Sequence, residues 1–177
     1  MYGSQRLIST LDWVNTRRTF QGVKTFWRTP EWDLDAFWVR PMITEKGNLD
    51  NWDTQQNFFG LWATNKPKPG HTIDLYFLSL INDRNVTAAN LLAGNILQAN
   101  ADTHTLGGRL AGNFDNLLYE LEGMYQFGQR SNLDVSAFAV ATGIGYRLPL
   151  PMNPQGWIRY DFASGDSSST DGRSNTF

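Results

Sequence analysis

The stretch from Leu117 to Arg147 constrains the fold most. In its first arm, Leu117, Tyr119, Leu121, Tyr125 and Phe127 share one face of an extended chain, and Glu120, Glu122, Met124, Gln126 and Gly128 share the other. Side chains alternate across a strand with period two, so this arm reads as a strand with one apolar and one polar side. A short polar turn, Gln129 to Asn132, predicts an antiparallel hairpin. The second arm puts Phe138, Val140, Ile144 and Tyr146 on its apolar face. Ala137, Ala139, Ala141, Gly143 and Gly145 make a face of small residues that ends in Arg147. Both arms run to about ten residues or more, where strands in water-soluble domains usually have about five or six. About 9–11 residues suffice for a tilted strand to cross a bilayer, with aromatic residues at the two interfaces. On this hairpin alone, a membrane barrel and a large soluble sandwich with its apolar face inward are both open.

The rest of the chain repeats the pattern. Val23, Thr25 and Trp27 alternate with Gly22, Lys24, Phe26 and Arg28, and Thr29 to Glu31 forms a turn. Trp32, Leu34, Ala36 and Trp38 oppose Asp33, Asp35, Phe37 and Val39; a polar loop is expected from Pro41 to Asp53. A strand from about Thr54 to Thr64 and another with Ile73, Leu75 and Phe77 opposite Thr72, Asp74 and Tyr76 flank the turn Asn65 to Gly70. Residues 84–101 lack aromatics and predict a long loop or a short helix. A strand resumes at Thr103, with Leu106, Gly108 and Leu110 against Gly107, Arg109 and Ala111. After the central hairpin and the prolines at 149, 151 and 154, Ile158, Tyr160 and Phe162 oppose Trp157, Arg159, Asp161 and Ala163. Near the start, Leu7, Leu11 and Trp13 oppose Arg6, Thr10 and Asp12, and a strand is expected there too. Residues 166–177 read as a polar tail, in which Phe177 closes no amphipathic strand. The sum is roughly eight or nine strands in sequential hairpins, an all-β antiparallel meander.

Composition narrows the function classes. No run of eighteen apolar residues exists and the mean hydropathy is −0.41, which excludes a transmembrane helix but not a barrel, whose alternating strands average out. A net charge of −2 gives no bias toward nucleic acid. Cysteine is absent, so thiolate metal sites, disulfides and cysteine nucleophiles are excluded. His71 and His104 stand at predicted turns or strand starts without a ligand-spaced partner, and no cofactor is expected. Glu120 and Glu122 could supply an acid and a nucleophile in a soluble glycosidase-like sandwich, and Asp33 and Asp35 share that spacing, but a solvated or salt-bridged face accounts for both pairs and catalysis is not expected. The sequon at Asn85 and the Ser/Asp-rich stretch after Gly165 carry no further assignment. On the apolar faces, Trp13, Trp27, Trp32, Trp38, Tyr125 and Tyr146 sit near strand ends, the position amphipathic rings take at headgroup depth, which favours the membrane barrel.

An ordered set of segments resembles one family. GSQRLI at 3–8, WVNTRRTFQGVK at 13–24, WDLDAFW at 32–38, TLGGR at 105–109, YELEGMYQFG at 119–128 and YDFASGD at 160–166 are similar to the alginate-export family of outer-membrane barrels. The resemblance spans most of the chain apart from 84–101. It implies a single partial β-barrel domain over 1–177, with further strands expected at both ends, in the outer membrane of a Gram-negative-type bacterium. The implied function is passive export or diffusion of an anionic polysaccharide through a basic pore, with that saccharide and outer-membrane lipid as partners. The inward basic candidates are Lys24, Arg28, Arg109, Arg147 and Arg159, with Arg17 and Arg18 at a rim; Glu120, Glu122 and Asp161 are acidic companions. The alternatives are a soluble β-sandwich that binds or cleaves polysaccharide, and a structural barrel with a plugged lumen.

Overall fold

In a computed structural model, residues 2–9, 17–43, 47, 49–83, 100–131, 133–168 and 171–177 are described. Leu11, Trp13, most of the 84–101 segment with its sequon, and the Lys46–Asn48 turn expected in the first long loop fall wholly or partly outside them. The described residues form one sheet of ten strands: β1 (Phe20–Arg28), β2 (Trp32–Ile43), β3 (Asn51–Trp52), β4 (Gln56–Asn65), β5 (His71–Asn82), β6 (Ala101–Phe114), β7 (Leu117–Arg130), β8 (Leu133–Arg147), β9 (Gln155–Ala163) and β10 (Arg173–Ser174). The path is a meander, β1-β2-β4-β5-β6-β7-β8, with β9 antiparallel on β8, β3 on β2, and β10 parallel to the start of β8. No second sheet covers it among the described residues, so the sandwich has no counterpart. Among the described residues the sheet is not closed: β1 pairs only with β2 and β9 only with β8. This is the open arc of a partial barrel.

Burial is inverted relative to a water-soluble protein. In β7 the positions Leu118, Glu120, Glu122 and Met124 are buried, while Leu117, Leu121 and Tyr125 between them are exposed. Asp74 and Glu122 are each 2% exposed; Leu75 is 61%, Leu106 58% and Leu121 50% exposed. The concave face holds most of the charges, and the convex face is a band dominated by Leu, Ile, Phe, Tyr and Trp, with Arg40, Asp102 and Asp134 toward one rim. A continuous apolar surface on that scale needs a partner or lipid. β6, β7 and β8 have 14, 14 and 15 residues, more than a tilted crossing requires.

Several elements differ from the sequence expectation. Residues 2–9 form turns and bends, not a strand; they lie over the concave face, where Tyr2, Leu7 and Ile8 pack on a cluster of Trp62, Tyr76, Leu78, Met124 and Ala139. β2 continues through Pro41 to Ile43 instead of ending in a loop. The Pro41 carbonyl accepts from Asp53 N–H at 2.8 Å, on the side where the β2–β4 ladder has already ended at Val39 and Phe58. A missing N–H there removes no β2–β4 bond and forgoes only the reciprocal bond to Asp53 at the end of the two-residue β3 pairing. β5 runs on to Asn82, past the point where its alternation fades. The polar tail is tied down: β10 pairs with Asp134 and Val135, Phe177 N–H donates to the Ser164 carbonyl at 3.1 Å, and the Phe177 ring joins the concave cluster.

Candidate functional site

The concave face carries a belt of charge that crosses the arc from β1 to β9, in the half nearer the short turns. It is built by register. Arg109 on β6 stands opposite Asp74 on β5 and opposite Glu122 on β7, and Gly143 on β8 lies between Glu120 and Arg159 on β9. Period-two alternation then turns all of these side chains the same way. The small residues of β8 leave the space above them open. Arg6, Leu7, Met124, Ala139, Ala141 and Asp161 help line a cavity of about 350 Å³ there.

A carboxylate removed from water must be compensated by hydrogen bonds and opposite charge. In the belt, Asp74, Glu120 and Glu122 each meet that requirement with three donors. Asp74 accepts from Trp62 Nε1 at 3.2 Å, Thr64 Oγ1 at 2.6 Å and Arg109 Nη1 at 3.0 Å. Glu120 accepts from Arg109 Nε at 3.0 Å, Arg6 Nη1 at 3.3 Å and Arg159 Nη1 at 3.4 Å. Glu122 accepts from Tyr76 Oη, Ser4 Oγ and Arg6 Nη1, all at 2.8 Å. Arg6 also lies 3.7 Å from Asp161. Burial disfavours the Arg6 charge, but its bonds to Glu122 and Glu120 outweigh burial and raise its pKa above the ordinary arginine value. A second group occupies β1 and β2: Arg28 pairs with Asp35 and lies 3.7 Å from Asp33, Lys24 reaches Asp35 at 3.1 Å, and Lys66 reaches Asp33 at 2.7 Å.

The acids and bases occupy different depths. The Asp74, Asp35, Glu120 and Glu122 side chains are 3–9% exposed. Arg159, Lys24 and Arg28 are 39–49% exposed, with Arg6 and Arg109 between. These four carboxylates form the wall, and the cations stand over them; Asp33, at 27%, and Asp161, at 64%, are the exposed exceptions.

Of the residues singled out from sequence, Lys24, Arg28, Arg109, Glu120, Glu122, Arg147, Arg159 and Asp161 all lie on the concave face, by their register on β1, β6, β7, β8 and β9. Arg109, Glu120, Glu122, Arg159 and Asp161 join one network through Arg6. Lys24 and Arg28 belong to the second group, and Arg147 stands outside both. The spacing left out Arg6, Ser4, Asp74, Tyr76 and Lys66 as site members. Asp74 had a signal, an acid between Ile73 and Leu75 on the same face parity as Arg109; Arg6 had none, because its position depends on a non-strand path. Tyr76 fits because the facing residue is Gly107, where a Cβ would stand 2.3 Å from the ring.

The two histidines lie on the convex side. His71 Nδ1 is 2.7 Å from Tyr119 Oη, and His104 sits 3.0 Å from Ser79 Oγ and 3.3 Å from Asp102. Ser79 is mid-ladder, paired with Phe59 and His104 on its two sides.

The alginate export family model matches residues 1–177, the entire chain. The chain belongs to this family. Alginate export proteins are an outer-membrane family of transport channels, not of enzymes, and the inverted arc with its charged concave face is the geometry that such a channel requires. No curated protein and no solved structure matches the chain.

Proposed function

We propose that this arc is part of the wall of an outer-membrane pore that passes an anionic polysaccharide, alginate or a related polyuronate, by passive diffusion. The inverted burial carries the reading: a charged concave face and an exposed apolar convex face suit a water-filled lumen surrounded by lipid. Lys24, Arg28, Arg109 and Arg159 line the path, with Arg147 at its turn-side end and Arg17 and Arg18 at the opposite rim. Glu120, Glu122 and Asp161 hold the guanidinium groups extended and tune the field.

The chain has more acids than bases, yet depth, not count, sets what a passing solute meets. A polyuronate moving along the lumen encounters the exposed Arg159, Lys24 and Arg28 before the Glu120 and Asp35 carboxylates beneath them, with Asp161 as the one acid that stands as high as the cations. Paired cations attract its carboxylates without trapping them, because each keeps a protein partner to return to. Transport needs that balance between attraction and release.

The test is conductance of the full gene product in planar bilayers, with oligouronates and neutral oligosaccharides added in turn. Anion-selective current that oligouronate blocks, and that Arg28→Glu with Arg109→Glu weakens, is expected. Current indifferent to both sugars would reduce the protein to a general porin, and a water-soluble product that never inserts would overturn the membrane reading.

A further inference from the structure

On the convex face, next to the rim that carries the connections 44–50 and 83–100, one arginine breaks the apolar band. Arg40 lies on β2, on the same face as Trp38 and Met42, and Met42 is registered with Trp52 of β3. Its guanidinium sits 5.4 Å from the Trp38 ring centroid and 5.1 Å from that of Trp52. Asn57 Oδ1 accepts from both Trp38 Nε1 and Arg40 Nε, each at 3.0 Å. Two donors on one oxygen fix the amide orientation, so Asn57 Nδ2 points away, its N–H groups meeting no acceptor among the described residues. Arg40 Nη1 and Nη2 meet no carboxylate or other acceptor among the described residues. Gln21, registered with Arg40 on β1, adds an exposed amide. Among the described residues the patch offers donors and one unneutralised charge, and it is framed by aromatic faces.

We infer that Arg40, Asn57, Trp38 and Trp52 form a headgroup site for a phosphorylated glycolipid of the outer leaflet. The inference rests on the membrane reading above. Longer connections of outer-membrane barrels lie outside the cell and short turns face the periplasm, which places this rim in the outer leaflet. A lipid-facing arginine is costly at mid-bilayer and tolerable at the interface, where it snorkels to headgroups and Trp rings settle. The free fork of Nη1 and Nη2 matches a phosphate bidentately. Amide donors and two indole faces suit a hydroxyl-bearing sugar ring better than the small headgroup of a phospholipid.

The full gene product would be folded into nanodiscs of phosphatidylethanolamine doped in turn with bisphosphorylated lipid A, the same lipid without phosphates, and phosphatidylglycerol. Retained lipid would be counted by native mass spectrometry. Preferential retention of the bisphosphorylated form is expected, falling about five- to tenfold in Arg40→Gln and less in Arg40→Lys. Asn57→Leu, which leaves the charge in place, should also reduce retention. Conductance measured on the same preparations should match wild type, because Arg40 faces away from the lumen. Equal retention by wild type and Arg40→Gln would overturn the site, as would equal retention of all three lipids or displacement by inorganic phosphate alone. Loss of lipid preference with conductance intact sinks only this inference; a product that never inserts sinks the channel reading as well.

Discussion

Leu121 and Leu117 share one strand and one face, and they differ in depth. Both are exposed on the convex side, at 50% and 40%. Leu121 lies near the middle of its fourteen-residue strand and Leu117 at the turn-side end. Four residues at about 3.4 Å each separate them by about 14 Å along the strand. At a tilt of about 40° that is about 10 Å of depth, close to half of the ~25 Å apolar band of such barrels. Arginine at Leu121 would therefore face the bilayer middle, and arginine at Leu117 its edge. The expected loss is about 2–4 kcal/mol for Leu121→Arg and about 0–1 kcal/mol for Leu117→Arg. In a protein whose convex face meets water, both changes would stay within about 0.5 kcal/mol. Urea unfolding of the full gene product in phospholipid vesicles, followed by tryptophan fluorescence, measures the difference. Equal costs at the two positions, or no cost at either, would refute the lipid-facing assignment.

The charged belt yields further expectations, each read by the same unfolding assay. Arg109→Ala strips one donor from Asp74 and one from Glu120 and leaves each two others, so a loss near the low end of about 3–5 kcal/mol is expected; adding Asp74→Asn and Glu120→Gln should recover much of it, and no recovery would show that the guanidinium acts through packing. Gly107→Val drives a methyl-bearing carbon into the Tyr76 ring and should destabilise by about 1–3 kcal/mol. Tyr76→Phe keeps the ring and removes only the 2.8 Å bond to Glu122, at an expected cost of about 1–3 kcal/mol; a Gly107→Val protein as stable as wild type would contradict the steric account.

Much of the sheet was legible because strand periodicity carries face and pairing together. The Leu117–Arg147 hairpin and the two faces of β7 and β8 follow from alternation; that the face of Arg109 and Arg159 turns inward came with the resemblance, because alternation leaves the direction open. The turn proved tighter than read, since β7 runs to Arg130 and β8 starts at Leu133. Alternation failed where the concave face is itself apolar. Leu78 is buried beside Trp62, Tyr76 and Met124 under Tyr2, Leu7, Ile8 and Phe177, so the end of β5 shows no polar side. The same cover explains the misread termini. Residues 2–9 alternate as a strand would, but their place is set by Arg6 reaching Glu120 and Glu122, more than a hundred residues away. The tail is polar by composition, yet one aromatic residue and a few backbone bonds to Ser164 and β8 hold it.

The arrangement of charge follows from the fold more than from the number of charged residues. A strand places its Cβ atoms at one level, so reach above the wall depends on side-chain length. Asp and Glu end within two or three bonds of the backbone, where Trp62, Thr64 and Tyr76 can cap them. Arg and Lys extend further, pack their stems along the wall and end nearer the water. A concave face with equal numbers of acids and bases therefore presents mostly bases to the lumen, Asp161 being the exposed exception here. Buried carboxylates favour that exposure, since each ties a guanidinium at its base while part of the group stays solvated, as at Arg159 over Glu120. Neutralising Glu120 alone should thus increase affinity for an oligouronate while making Arg159 and Arg109 less ordered. Blockade of Glu120→Gln by oligouronate should begin at lower concentration and show longer dwell times than in wild type. Unchanged dwell times would mean that the acids do not compete with the solute for these cations.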